Sequence, residues 1–156
     1  MTQLSKSNKF LNDGILAFSQ ASVVNKPYSE KTENIQIIVW PEFIDNKASP
    51  AGDIFIWAYH VRIENHGSEP ISLINRYWRI IDETGVIQEV KGEGVVGEKP
   101  TIEAGSFYQY SSGTHLRYGS GIMMGHYQMQ KTSGEIFNAK IPTFSLDSPD
   151  IKASIN

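Results

Sequence analysis

The sequence predicts an all-β domain in which seven or eight antiparallel strands form two packed sheets. Apolar residues in the body of the chain recur with a period of two rather than 3.6. Clusters of Gly, Pro, Asn and Ser interrupt these runs about every eight to twelve residues, as in sandwiches and barrels. Aromatic residues, which favour strands and cores, make up 11% of the 156 residues.

The strands follow one another from residue 35 onward. The clearest is 54–65, in which Trp57, Tyr59 and Val61 alternate with neighbours that become more polar toward its end. A turn cluster of Asn, Gly, Ser and Pro closes it. Further strands are expected at 71–82, 86–91, 107–112, 122–130 and 136–146. Because the βαβ alternation of a parallel sheet is missing, doubly wound folds are excluded. Trp40, Trp57 and Trp78 are expected to be core or sheet-face residues.

Composition excludes several functional classes. The chain has no cysteine, which removes disulfides, thiolate zinc sites, iron–sulfur clusters and cysteine nucleophiles. A net charge of −3 argues against nucleic-acid binding, whose usual footprint is a basic domain. Apolar runs are far shorter than the roughly 20 residues of a membrane helix, and no secretory signal is visible. We therefore expect a cytoplasmic protein without membrane insertion.

The sequence predicts one domain flanked by a longer N-terminal extension and a short C-terminal tail. Residues 1–33 are rich in Ser, Asn, Lys and Gln, and are expected to form a flexible or loosely docked N-terminal extension. An alternative for part of this segment is a brief amphipathic helix from Asp13. Residues 34–147 form the predicted domain, and 148–156 form a polar C-terminal tail.

One stretch, residues 92–97, matches the pattern G-x-G-x-x-G. A dinucleotide fold would place a helix after it, but Pro100 follows and no helix opens, so that interpretation fails. One alternative is a backbone nest that binds pyrophosphate or a nucleotide, with Gly92, Gly94, Gly97 and Lys99 as its residues. The others are a set of tight turns and a protein-contact loop. Glutamates outnumber lysines around the loop, which disfavours a bare anion.

No catalytic or metal-binding set is apparent. The four histidines, His60, His66, His115 and His126, lack the spacing of metal ligands. Residues 111–115 bring serine hydroxyls near His115, but without the glycine elbow of a serine nucleophile. The sequence therefore predicts no catalytic residue, no metal, no cofactor and no enzyme.

Four stretches resemble the ApaG family, which is also called CorD. They are Asn-Arg-Tyr-Trp at 75–78, Gly-Glu-Gly-Val-Val-Gly-Glu-Lys-Pro at 92–100, Tyr-Gln-Tyr-Ser-Ser-Gly at 108–113 and Met-Gly-His-Tyr at 124–127. The resemblance runs from about residue 35 to residue 146. It implies an immunoglobulin or fibronectin type III-like β-sandwich and a link to cobalt resistance and magnesium efflux in bacteria. It also implies an interaction module in larger eukaryotic proteins, and nucleotide or pyrophosphate binding at the glycine motif, but no catalytic residues.

The expected function is a non-enzymatic binding domain in divalent-cation (Co²⁺/Mg²⁺) homeostasis and efflux. Since the chain has no membrane span, it would act indirectly, through a protein or small-anion partner. Pyrophosphate or nucleotide binding by the Gly92–Gly97 loop is the alternative, and phosphohydrolase activity is the least favoured. Tyr77, Tyr108, Tyr110 and Tyr127 are expected to form an exposed interaction surface. Open sheet edges are also compatible with a homodimer.

Overall fold

A computed structural model describes residues 26–149 and the backbone of one short strand near the N-terminus. The helix expected from Asp13 and the tail beyond residue 149 lie outside the described residues. The described part contains ten strands. They are β1 (Ser5–Lys6), β2 (Tyr28–Thr32), β3 (Ile35–Lys47), β4 (Ile54–Asn65), β5 (Ile71–Asp82), β6 (Ile87–Glu93), β7 (Thr101–Ile102), β8 (Phe107–Leu116), β9 (Ser120–Lys131) and β10 (Ile136–Asp147).

The strands form two antiparallel sheets. The first sheet has the order β1-β8-β4-β3-β2. The second sheet has the order β10-β9-β5-β6, with β7 paired to β5. The predicted fold class, an all-β sandwich of antiparallel strands, is confirmed. Seven of the ten strands are long. Six of them correspond to the strands predicted with bounds, and the seventh, β3, begins at residue 35, where the series of strands was expected to start. The short strands β1, β2 and β7 are additional.

Aromatic residues from both sheets fill the core. Trp57 and Trp78 are each about 2% exposed, so the predicted burial of these tryptophans is confirmed. The Trp78 ring, on β5, contacts Tyr59 of the first sheet at 5.0 Å between centroids, and it meets Phe144 edge-on at 6.0 Å. Burying one such side chain stabilises the fold by roughly 1.5–3 kcal/mol. The contact between Trp78 and Tyr59 therefore joins the two sheets, while the contact with Phe144 lies within the second sheet.

The strand β2 lies within the segment assigned by sequence to the N-terminal extension. It pairs with β3 along its whole length, from Tyr28 opposite Val39 to Thr32 opposite Ile35. Tyr28 also packs on Phe144 at 5.8 Å between ring centroids. The ordered sheet therefore includes residues 28–32, while the division of the chain at residues 33/34 and 147/148 stays a prediction.

Candidate functional site

The glycine motif forms a two-residue hairpin turn. Val95 and Glu98 exchange backbone hydrogen bonds of 2.8 and 2.9 Å, and the two residues between them have positive φ: 43° at Val96 and 80° at Gly97. Positive φ at both central positions defines a type I′ turn, which matches the twist of paired strands. Gly97 supplies one of these positions without strain, whereas Val96, a β-branched residue, is held there by its surroundings.

Gly92 and Gly94 both lie at close approaches, but only at Gly94 is the neighbouring atom part of the backbone. A Cβ on Gly94, where φ is 60°, would lie 2.0 Å from the Glu98 carbonyl oxygen. A Cβ on Gly92 would lie 2.8 Å from the guanidinium of Arg76. Arg76 Nη1 donates to the carbonyl oxygens of Glu93 and Gly94, at 3.0 Å each. The first two glycines of the motif thus let the chain fold closely over Arg76.

These contacts limit what the loop offers to an anion. The amides of Gly94, Val95 and Glu98 already donate to backbone carbonyls. The Lys99 ammonium lies 3.2 Å from the Glu93 carboxylate. The geometry therefore accounts for the motif as a tight turn. Anion binding here stays a prediction, and it rests on the solvent-facing Gly97 and Lys99.

The structure corrects the placement of three of the four tyrosines assigned to an exposed surface. Tyr108, Tyr110 and Tyr127 are at most 2% exposed, because the register of β8 and β9 turns them toward the core. The hydroxyls of Tyr110 and Tyr127 hydrogen-bond to each other, and Tyr108 donates to Glu98 Oε2 at 3.3 Å. Burial raises the pKa of all three phenols. Of the four, only Tyr77 stands on an outer face.

That face belongs to the second sheet and is called here the outer face. One row runs across its four strands: Lys91 lies opposite Tyr77, Tyr77 opposite His126, and His126 opposite Lys140. A second row joins Glu93, Asn75, Gln128 and Asn138 in the same way. Since alternate residues of a strand share a face, Arg79, Glu89 and Met124 lie on this side too. The outer face therefore gathers residues distant in sequence.

Tyr77 and His126 form the centre of the outer face. Their rings stack with centroids 5.0 Å apart and planes inclined by 28°. Lys91 Nζ lies 5.7 Å from the Tyr77 centroid, within cation–π range. Partial burial and a hydrogen bond to Glu89 raise the pKa of Tyr77, and burial lowers the pKa of His126. Both rings are consequently uncharged near pH 7.

The stacked rings separate two open clefts. The first cleft, about 630 Å³, lies toward β6. It is lined by Asn75, Arg76, Tyr77, Glu89, Lys91, Gly92, Glu93, His126 and Gln128. The second cleft, about 410 Å³, lies toward β10. It is lined by Tyr77, Arg79, Met124, Gly125, His126, Asn138, Lys140 and Thr143.

A hydrogen-bonded chain of Ser111, His60 and Glu42 crosses the first sheet. His60 Nδ1 lies 2.6 Å from Ser111 Oγ, and Nε2 lies 2.8 Å from Glu42 Oε1. Sequence reasoning associated Ser111 with His115 instead, which is exposed and lies opposite Ile56. An imidazole between a hydroxyl and a carboxylate resembles the arrangement that activates a serine nucleophile. However, Ser111 and His60 are each only 8% exposed, so the chain fits a structural role better.

Neither a metal-binding group nor a membrane-spanning helix is found in residues 26–149. This part of the chain contains no group of three His, Asp or Glu residues placed to hold a metal ion. His66, for example, pairs with a single carboxylate, Glu64, at 2.9 Å. Within the same residues no helix is long and apolar enough to cross a membrane.

The fold and its surface define a β-sandwich of two antiparallel sheets with an open, polar and aromatic face. A family model described as the ApaG domain matches residues 45–131. Protein ApaG of Parvibaculum lavamentivorans is 47% identical over 129 residues, which cover 83% of this chain and 99% of the relative. Protein ApaG of Rhodospirillum centenum is 49% identical over 78% of this chain and 94% of its own. The chain belongs to the ApaG family, as the resemblance predicted.

Solved structures agree with this assignment. A crystal structure of an ApaA protein from Bordetella pertussis is 35% identical, with a TM-score of 0.70, and covers 81% of this chain and 98% of that one. An X-ray structure of a structural-genomics target is 43% identical, with a TM-score of 0.72, over 74% of this chain and 88% of that one. The name that the relatives carry, Protein ApaG, is not that of an enzyme.

Proposed function

We propose that this chain is a non-enzymatic, cytoplasmic binding domain that docks a partner protein on the first cleft of the outer face. The observation that carries the proposal is the stacked Tyr77–His126 pair, which stands beside Lys91 on an open face. Aromatic side chains anchored by neighbouring strands are typical centres of protein interfaces. A mixed rim that includes Glu93 and Gln128 suits a polar partner surface.

The partner links the domain to cobalt and magnesium homeostasis. The family resemblance motivates this link, which corresponds to the alternative name CorD. With no metal-binding group or membrane helix among residues 26–149, the domain would act on cation efflux by regulating another protein. A non-enzymatic role is supported by the burial of Ser111, the hydroxyl best placed beside an imidazole.

Complementation of a gene deletion tests both the link to cation homeostasis and the first cleft as the docking site. The deletion strain should lose Co²⁺ tolerance and regain it with the wild-type chain. The variants Tyr77→Ala and Lys91→Glu should fail to restore it, whereas Tyr118→Ala, at an exposed aromatic residue of a separate loop, should restore it fully. Circular dichroism on the purified variants confirms that they fold.

Each part has its own contrary outcome. Unchanged Co²⁺ tolerance and cellular magnesium in the deletion strain would remove the link to cation homeostasis. Full restoration by folded Lys91→Glu and Tyr77→Ala would instead remove the first cleft as the docking site.

A further inference from the structure

The second cleft is lined by cationic side chains and hydrogen-bond donors, and its lining contains no carboxylate. Arg79 and Lys140 face it from β5 and β10, with Asn138 and Thr143 beside them. The acidic residue nearest in register is Glu89, which lies opposite Arg79 but lines the first cleft and has Lys91 Nζ within 3.9 Å. The second cleft is therefore positively charged, although the protein as a whole carries a net charge of −3.

The two cations of this cleft lack the ion pairs that three lysines elsewhere in the described residues make. Lys91, Lys99 and Lys131 each have a carboxylate oxygen within 4.0 Å. Among the ion pairs formed by residues 26–149, none involves Arg79 or Lys140. Two like charges that face one cleft repel each other, and an anion between them would offset that repulsion.

The sheet sets the spacing of these groups. Strand β9 lies between β5 and β10, so the two cations stand two strand spacings apart, roughly 10 Å across the sheet. Both side chains are long enough to reach a group above Met124 and Gly125. Arg79 Nε is buried and has no hydrogen-bond partner within the described residues, so this donor is unsatisfied by the chain itself. The register shift between Ile141 and Phe144 contains Thr143, which lines the same cleft.

We propose that the second cleft binds a phosphate-type oxyanion. Guanidinium and ammonium groups, an amide and a hydroxyl reach it from two strands that flank β9, and this donor set suits a tetrahedral anion with several acceptor oxygens. The cleft is large enough for inorganic phosphate, pyrophosphate or the phosphate of a monoester. The site is separate from the glycine loop, and it does not depend on the partner protein proposed above.

Isothermal titration with sodium pyrophosphate at low ionic strength tests the site. Lys140→Gln removes an exposed charge, and we expect it to keep the native fold and weaken pyrophosphate binding about tenfold, as loss of a charge-assisted contact implies. Lys99→Gln is the matched control at the glycine loop and should leave the affinity unchanged. Arg79→Gln should weaken binding further if circular dichroism shows that it folds.

Inorganic phosphate and adenosine monophosphate, titrated in the same way, identify the source of the anion. If the site recognises only the phosphate group, it should bind inorganic phosphate and adenosine monophosphate alike, and Lys140→Gln should weaken the binding of both to the same extent. The proposal is overturned if the wild-type chain binds none of the three probes, or if Lys99→Gln weakens pyrophosphate binding as much as Lys140→Gln. It is equally overturned if folded Lys140→Gln binds like the wild type.

Discussion

Single glycines in the loop differ sharply in what they tolerate. Gly94 has a backbone oxygen where its Cβ would stand, whereas a Cβ on Gly97 would meet no atom within 4 Å. Both glycines have positive φ, but a steric clash is added to the left-handed backbone only at Gly94. Glycine is therefore favoured at position 94 by both the backbone conformation and the neighbouring oxygen, and at position 97 by the backbone conformation alone.

We predict that Gly94→Ala lowers the free energy of unfolding by about 3 kcal/mol or more, since the turn must open to admit the methyl group. Gly97→Asn should cost only a few tenths of a kcal/mol, because asparagine adopts positive φ readily. Urea denaturation of both variants measures the difference. Equal losses would contradict the turn geometry.

The same contrast decides how anion binding at this loop should be tested. A change at Gly94 would disturb the fold and with it any ligand, so lost binding would carry no information about the loop. Gly97 and Lys99 are solvent-facing, and we expect Gly97→Asn, which tolerates positive φ, and a substitution of Lys99 to leave the turn in place. The G-x-G-x-x-G spacing could not distinguish a turn from a nest, because the hydrogen bonds of Val95 and Glu98 appear only in the folded hairpin.

The tyrosines illustrate a second limit of sequence at the residue scale. Alternation correctly places Tyr108 and Tyr110 on one face of β8. The polar Gln109 and Ser111 alternate with them, a pattern that by itself favours the tyrosines as the core side, so the expected exposed surface went against the alternation. Both polar residues are nevertheless buried as well. Both faces of β8 are therefore buried at these four residues, which the sequence pattern did not indicate.

Among the elements, the long strands were predictable and the short ones were not. The strand β4 keeps its period of two over twelve residues, and its predicted bounds match those observed. The strands β2 and β7 have five and two residues, too few for a period to emerge from polar surroundings. Pairing with a neighbour defines them, and that neighbour is known only from the fold.

The strand β2 gives a prediction at this scale. A chain that begins at residue 34 lacks β2 and should be less stable than one that begins at residue 26. The shorter chain exposes the edge of β3 and loses the contact between Tyr28 and Phe144. We expect a difference of about 2 kcal/mol or more, from the loss of a buried aromatic contact and a strand. Thermal unfolding of the two chains checks it, and equal midpoints would show that β2 is dispensable.

At the scale of the whole molecule, the two clefts depend on cross-strand register. Lys91, Tyr77, His126 and Lys140 come from four strands and span 64 positions from first to last. No local pattern marks them as neighbours, and of the four only Tyr77 was assigned to an interaction surface from the sequence. The resemblance that named the family rests on conspicuous residues, such as the glycines and Trp78, which prove to be structural.

The buried tyrosines also determine how the whole molecule responds to alkali. Burial raises the pKa of Tyr59, Tyr108, Tyr110 and Tyr127 in the folded state. In the unfolded chain the same phenols ionise near pH 10. The unfolded state therefore binds fewer protons above pH 10, and the stability contributed by these groups is complete below that pH and is lost as pH rises beyond it.

We predict cooperative unfolding between about pH 10 and pH 12. Each of the four phenols lowers the free energy of unfolding by up to about 1.4 kcal/mol per pH unit in this range. Phenolate absorbance from these residues should rise only as the far-ultraviolet circular dichroism signal is lost. Tyr108→Phe removes one of the four phenols, so the free energy of unfolding of this variant should fall less steeply with pH, by the equivalent of one proton. Complete phenolate formation in a chain that keeps its native circular dichroism would mean that these tyrosines are open to solvent, contrary to the core described above.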